Sequence, residues 1–313
     1  MEEKLPLIAI IGPTAVGKTE LSLQLAERFN GEIISSDSRL FYRGMDIGTA
    51  KPSNAEMARV PHHLIDVSEP HETWSLGQFQ KAAAEIIEDI VARGKLPFLV
   101  GGTGQYFRAV TEGWTPPEVK ADARLRGVLE KLNDEHGAEW LHARLSMLDA
   151  DAAEKIDYRN VRRTIRALEV ILTTGEKFSS QRQQHGEPIY NLLTIGLKRP
   201  RPELYERVDL RIHQMFEMGL LDEVQTLLDK GYSPELPSMS ALGYRECVAV
   251  LNGEMSQDEA ITQMKRITRV FVRRQANWFK EADRRIRWFE ASDAVLFIQI
   301  EEEIRNWHKS LGF

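Results

Sequence analysis

The sequence predicts an α/β fold: a parallel sheet with helices on both faces, carrying a helical insertion. Three observations predict it. First, Gly12-Pro13-Thr14-Ala15-Val16-Gly17-Lys18-Thr19 fits G-x-x-x-x-G-K-[ST], the phosphate-binding P-loop, between an apolar run at 7–11 and helical spacing at 20–28. Second, short apolar strands alternate with helices through the first hundred residues, a pattern that gives parallel strands covered on both sides. Third, after Trp114-Thr115-Pro116-Pro117 the pattern changes to consecutive helices, and an apolar strand returns at 191–197. The expected architecture is a P-loop NTPase-like core, residues 1–116 and 191–313, with a helical insertion at 117–190.

In chain order, Leu7 to Ile11 is the first strand. The loop's helix runs over 20–28 and stops at Asn30-Gly31, where Gly31 suits a left-handed cap. Glu32 to Ser36 reads as the second strand and delivers Asp37 at its C-terminal end. Residues 39–51 are irregular, and His63 to Val67 reads as a short strand. Ser75-Leu76-Gly77-Gln78 is a capping box opening a helix to Arg93, closed by Gly94. Leu96 to Val100 is the next strand, ending in Gly101-Gly102-Thr103-Gly104. Residues 121–184 read as helices, one of them capped by Asn160 and Gly175. Pro202 starts a helix after the 191–197 strand. Ser256-Gln257-Asp258-Glu259 is a second capping box. Its helix carries Met264, Ile267, Phe271 and Trp278 on one face, read as core, and Arg266, Arg269 and Arg273 on another. Late strands are expected at 285–289 and 295–300, then a helix at 301–311.

Composition is that of a globular chain: 313 residues, 42% hydrophobic and 28% charged. The single cysteine, Cys247, excludes an intrachain disulfide, and the eight histidines show no zinc-like spacing. No basic, apolar leader and no run near the ~20 residues of a membrane span is present, so the reading is a soluble cytoplasmic protein. A net charge of −6 argues against a nucleic-acid partner when taken alone. Yet Lys265 to Trp288 holds nine Lys or Arg against two acids, a local excess of +7.

The loop says that an oligophosphate sits here. Its N–H groups converge at the positive end of a helix; Lys18 reaches the terminal phosphates and Thr19 offers its hydroxyl to Mg²⁺. Asp37, beside the loop at a strand end, reads as a Mg²⁺ ligand, a general base or a turn residue capping its own backbone. Asp66 ends the other short strand as a second candidate metal ligand. Gly101 to Gly104 stands where an Asp ends many Walker B strands, which counts against an ATP-hydrolysing machine. It leaves Thr103 as either a hydroxyl at the site or part of a tight turn. Arg159, Arg162, Arg163 and Arg166 share a face, either a solvated one or a grip on the phosphates of ATP or of a nucleic acid.

Several stretches together resemble the tRNA dimethylallyltransferases. They are Gly12 to Thr19, Asp37 to Pro52 with its Tyr-Arg-Gly-Met-Asp-Ile-Gly-Thr-Ala-Lys block, His62 to Asp66, Val100 to Gly104, Arg166 to Glu169, Leu242 to Glu246 and Arg273 to Trp278. The likeness spans nearly the whole chain. It implies transfer of a dimethylallyl group from dimethylallyl diphosphate to N6 of the adenosine 3′ of the tRNA anticodon, with release of diphosphate. By resemblance, Gly12, Pro13, Thr14, Ala15, Val16, Gly17, Lys18 and Thr19 hold the donor's diphosphate, Mg²⁺ is the cofactor, and Asp37 is the general base. Thr103 lies against the reacting end, and Arg211, from an Arg-x-x-x-Arg helix, clamps the diphosphate. The anticodon stem-loop is assigned to Asp37, Ser38, Arg39, Leu40, Thr103, Arg126, Arg162, Arg163, Thr164, Ile165, Arg166, Ser240, Ala241, Leu242, Gly243, Tyr244, Arg245, Arg269, Arg273 and Arg274. Leu40 departs from the Gln of many members. A monomer is expected. The rivals are a small-molecule or nucleotide kinase, which leaves the basic segment unexplained, and a nucleic-acid-binding module, against which intact Lys18 and Thr19 weigh.

Overall fold

A computed structural model describes residues 4–113, 117, 119, 122–180 and 188–311. The chain divides into two compact units, Met1–Thr111 with Pro188–Phe313, and Glu112–Glu187. The first opens with β1 (Pro6–Ile11), α1 (Lys18–Arg28), β2 (Gly31–Ser35), α2 (Asn54–Arg59), β3 (His62–His63), α3 (Leu76–Ala92), β4 (Leu96–Gly101) and α4 (Gly104–Thr111). The second unit holds α5 (Ala123–His136), α6 (Ala138–Leu148), α7 (Ala150–Lys155) and α8 (Val161–Thr174). The first then resumes with β5 (Asn191–Lys198), α9 (Arg201–Glu217), α10 (Leu220–Asp229), α11 (Tyr244–Leu251), α12 (Gln257–Gln275), β6 (Ile286–Glu290) and α13 (Leu296–Ser310).

The sheet order is β3-β2-β4-β1-β5-β6, with every pair parallel. The strands read as continuous apolar runs because both faces are covered. In β1, Ile8 and Ile10 enter one core cluster, while Leu7, Ala9 and Ile11 enter the other. All five are essentially inaccessible. The chain passes from β2 to β3 and returns through α3 to insert β4 between β2 and β1. The C-terminal ends of β1, β2 and β4 therefore bring the phosphate loop, Asp37 and Gly101-Gly102 to one sheet edge, where ligands of such sheets bind.

Caps fall largely where the sequence puts them. Ser75 with Gln78 and Ser256 with Glu259 form capping boxes, Asn160 caps α8, and Gly175 closes it at φ 74°. Gly31 does not cap α1: Asn30 takes the left-handed turn at φ 50°, and Gly31 opens β2. A Cβ on Gly31 would meet the Phe98 ring at 2.4 Å. The expected strand at 63–67 stops at His63, because Leu64 (φ 59°) and Asp66 (φ 53°) are left-handed. The expected strand at 295–300 is the start of α13. Asp293 caps Val295 N–H, and the buried pair Ile300 and Ile304, four apart, turns the apolar run into a helical face. On α12 the buried stripe is Ile261, Met264, Thr268, Val272 and Gln275; Phe271 and Trp278 are exposed, and Trp278 lies beyond the helix. Two of that stripe's members are polar, so an apolar pattern could not trace it. α2, opened by a capping box of Ser53 and Glu56, and α4 are additional helices.

Leu129, Leu141, Leu145, Leu168 and Ile171 form the core of the second unit. Its wholly buried Glu169 accepts from Arg126, Arg166 and the Asp122 N–H. Burial alone would raise its carboxyl pKa; these bonds outweigh burial and hold it below the usual range. The break at 114–116 and residues 121 and 181–184 of the expected helices lie outside the described residues.

Candidate active site

Strand β1 ends at Ile11, and α1 starts at Lys18 with no side-chain cap on its first turn. Its leading N–H groups are thus left for an anion. Lys18 Nζ donates to Pro13 O at 2.9 Å and Gly12 O at 3.1 Å. The loop is held from outside by residues far away in sequence. Arg207 of α9 donates to Ala15 O at 2.7 Å, and Arg199 to Val16 O at 3.0 Å. Thr14 N–H donates to Gln275 Oε1 at 2.9 Å. Arg211 follows Arg207 by one helical turn. Burial, and then the charge of Arg207, lower its pKa. Lys18, Thr19, Asp37, Arg207, Arg211 and Gln275 line one cavity of about 310 Å³. Burial first, then the charge of Arg211, bring the Lys18 ammonium down to about 8 against the pull of Asp37.

Asp37 follows β2 and lies beside the phosphate loop. Its Oδ1 accepts from the Arg39 N–H at 3.0 Å, which is the turn reading, and its side chain also lines the cavity. A second cavity of about 260 Å³ shares Thr14, Asp37, Thr49, Ala50 and Arg211 with the first. Its other walls are mainly apolar, among them Ile212, Met215, Leu242, Met264 and Phe271. A cationic cradle and an apolar chamber therefore meet at one carboxylate and one arginine.

The remaining expected site residues divide. Leu40 lines the first cavity; Arg39, Ser240 and Ala241 line the second. Arg39 is committed to Pro237 O, Ser238 O and Ser240 Oγ. Ser38 bonds Tyr106. The carbonyl of Thr103 accepts from Phe107 N–H in the first turn of α4, and Thr103 lines neither cavity. Tyr244 corrects an expectation: it is wholly buried with its hydroxyl on Glu223 at 2.6 Å, and Gly243 lies buried beside it, so neither offers a surface to tRNA. Thr164 and Ile165 are likewise buried in the second unit. Arg126 and Arg166 are spent on Glu169, Arg269 pairs with Asp209 at 2.5 Å, and Asp66 pairs with Lys51 at 2.5 Å. Arg159 precedes α8 and pairs with Asp157, so it does not share a helix face with Arg162. Arg162, Arg245, Arg273 and Arg274 are exposed, and Arg163 is half-buried.

Arg199, Arg207 and Gln275 were not singled out by the sequence. The four-residue spacing of Arg207 and Arg211 was a usable signal; the contacts of Arg199 and Gln275 with the loop were not. Among the described residues no group of three His, Cys, Asp or Glu could hold a metal. The cavity offers instead the Thr19 hydroxyl and the Asp37 carboxylate. Hard oxygen donors of this kind, completed by phosphate oxygens, suit Mg²⁺.

Comparison with known proteins gives one answer. The family model described as IPP transferase matches residues 40–282. The chain is 54% identical to a tRNA dimethylallyltransferase of Roseiflexus sp. (strain RS-1) over 276 residues, 88% of this chain and 90% of the relative. Its structure resembles the full-length tRNA isopentenylpyrophosphate transferase of Bacillus halodurans, with TM-score 0.74, 42% identity, and 99% and 98% of the two chains covered. It also resembles a eukaryotic dimethylallyltransferase acting on tRNA, with TM-score 0.84, 29% identity, and 98% and 80% covered.

Proposed function

The chain belongs to the IPP transferase family, and from that premise we propose that it moves a dimethylallyl group from dimethylallyl diphosphate to N6 of the adenosine 3′ of the tRNA anticodon. The observation that carries this reading is the meeting of Lys18, Arg207 and Arg211 with Asp37 in one cavity that adjoins an apolar chamber. The cationic side suits a diphosphate; the apolar walls suit the donor's five-carbon chain.

The target adenine must leave its stack to enter. Its N6 attacks C1 of the allylic group, the C1–O bond breaks, and the electron pair leaves on the diphosphate. Asp37 takes the N6 proton. The charge growing on the leaving diphosphate is met by Lys18, Arg207, Arg211 and the leading N–H groups of α1, donors already in place before the reaction. Thr19, with the diphosphate, would hold Mg²⁺. When bound, the ion adds positive charge at the leaving group. Arg245, Arg273 and Arg274, without ion-pair partners among the described residues, contact tRNA phosphates, as do Arg162 and Arg163 in the first turn of α8. No acid offsets those two at the positive end of that helix. The enzyme works in the cytoplasm as a monomer.

The test is incubation with unmodified tRNA, Mg²⁺ and either dimethylallyl diphosphate or ATP. Prenyl transfer is expected with the first and no phosphoryl transfer with the second. Asp37→Asn should lower single-turnover prenyl transfer about 10²–10⁴-fold with inorganic diphosphate still bound. A rate close to that of the unsubstituted enzyme would remove Asp37 as the base.

A further inference from the structure

Gln275 is the last residue of α12 and is 6% exposed. Its amide joins two loops. Oε1 accepts the Thr14 N–H at 2.9 Å, and Nε2 donates to Gly102 O at 3.3 Å. The fit is close. A Cβ on Gly102 would stand 2.4 Å from Gln275 Nε2 and 2.9 Å from Gly12 O, so only glycine lets the three segments meet. Lys18 Nζ, on Gly12 O and Pro13 O, stands at the same end of the phosphate loop as Thr14. One buried amide therefore fixes the loop next to the ammonium that meets the terminal phosphoryl group. Immediately before it in sequence stand Arg273 and Arg274, both exposed and without partners among the described residues. Displacing Gln275 would break both hydrogen bonds at once, which ties the end of α12 to the phosphate loop.

We propose that Gln275 is a positioning residue that couples the two substrate sites: tRNA held at the end of α12 fixes the amide, the amide fixes Thr14, and the loop is set for the donor's diphosphate. This rests on the reading of the loop as the donor site and of Arg273 and Arg274 as tRNA contacts. Coupling of this kind is reciprocal, so diphosphate tightens tRNA by the factor with which tRNA tightens diphosphate.

The experiment measures the Kd of inorganic diphosphate, with Mg²⁺, by titration calorimetry in the presence and absence of saturating unmodified tRNA. No turnover occurs, because no allylic group is supplied. In the unsubstituted enzyme tRNA is expected to tighten diphosphate at least about fivefold. In Gln275→Ala the ratio of the two Kd values should fall to near one. A residue that merely shaped the loop would weaken diphosphate equally in both conditions and leave the ratio intact. Gln275→Met fills the same space without either hydrogen bond, and should lose the coupling even where the alanine variant does not fold. The proposal is overturned by a ratio near one in the unsubstituted enzyme, or by an unchanged ratio in the folded variants. Failure of diphosphate to bind at all, in a protein that binds tRNA, would instead overturn the donor-site reading of the loop.

Discussion

Lys18 is held at a charge state that the fold resists. Burial, and then Arg211, lower it from 10.5 to about 8. Between those values the unfolded chain binds the extra proton, so this residue's effect on stability improves as pH rises from about 8 toward 10.5. Binding runs the other way, because the diphosphate wants the charged form. Affinity for inorganic diphosphate should be level below about pH 8 and decline above it, by up to about tenfold per pH unit. Lys18→Arg, whose charge does not titrate in this range, should show no break there. Titration calorimetry from neutral to alkaline pH decides the matter; an identical break in both proteins would belong to the diphosphate and not to Lys18. At this scale Lys18, Thr19 and Asp37 were legible, because spacing alone puts them at a strand end. Of the loop's outer supports only Arg207 carried a local signal, its spacing from Arg211. Arg199, Arg207 and Gln275 lie from 183 to 261 residues away from the carbonyls and N–H that they hold.

The segment Asp46-Ile47-Gly48 shows what an element adds to a motif. Three successive N–H groups, at 46, 47 and 48, converge on the carboxylate of Glu223 in α10, which also accepts the Tyr244 hydroxyl. Gly48 must be glycine, since a Cβ would lie 2.5 Å from the Tyr244 ring. The block that carries the family likeness is thus a structural clasp between the β2–α2 connection and the α10–α11 pair, and it also sets Thr49 and Ala50 against both cavities. Its pattern was visible, but its reason was not, because an anion-binding turn filled by the chain's own glutamate cannot be told locally from one that waits for a ligand. Glu223→Ala leaves three N–H groups and a buried hydroxyl unpaired. It should cost about 2–4 kcal/mol of unfolding free energy in urea titration. Glu223→Gln should cost less, because the amide oxygen still accepts. A loss under about 0.5 kcal/mol for the alanine variant would mean that water replaces the carboxylate freely.

Across the whole molecule, what the sequence made legible was whatever repeats locally: the apolar strands, the capping boxes, and the turn from strand–helix alternation to consecutive helices. What it hid was pairing. The +7 excess over 265–288 looked like one surface, but Arg269 is bound to Asp209, Arg285 to Asp283 and Arg287 to Glu303. Arg266, Arg273, Arg274, Lys280 and Arg284 have no ion-pair partner among the described residues and remain exposed. A chain of net charge −6 therefore meets a polyanion through a few unpaired cations and not through its overall field. Each cation seated on a phosphate releases about one counterion, so replacing Arg273 and Arg274 by Ala should flatten the slope of log Kd for tRNA against log salt by roughly one to two units. Arg269→Ala should behave differently. It strands Asp209 and loses the stacking of Arg269 over Tyr205 at 5.3 Å, so it should lower thermal stability and leave the slope alone. Binding of inorganic diphosphate separates the remaining possibilities, since neither exposed arginine is assigned to the donor. The decisive measurement is tRNA binding at four or five salt concentrations for the three proteins, with melting curves alongside. A slope unchanged by the double substitution would move the tRNA contact off α12, to Arg162 and Arg163 at the start of α8. A slope changed by Arg269→Ala would show that its pair with Asp209 opens when tRNA binds.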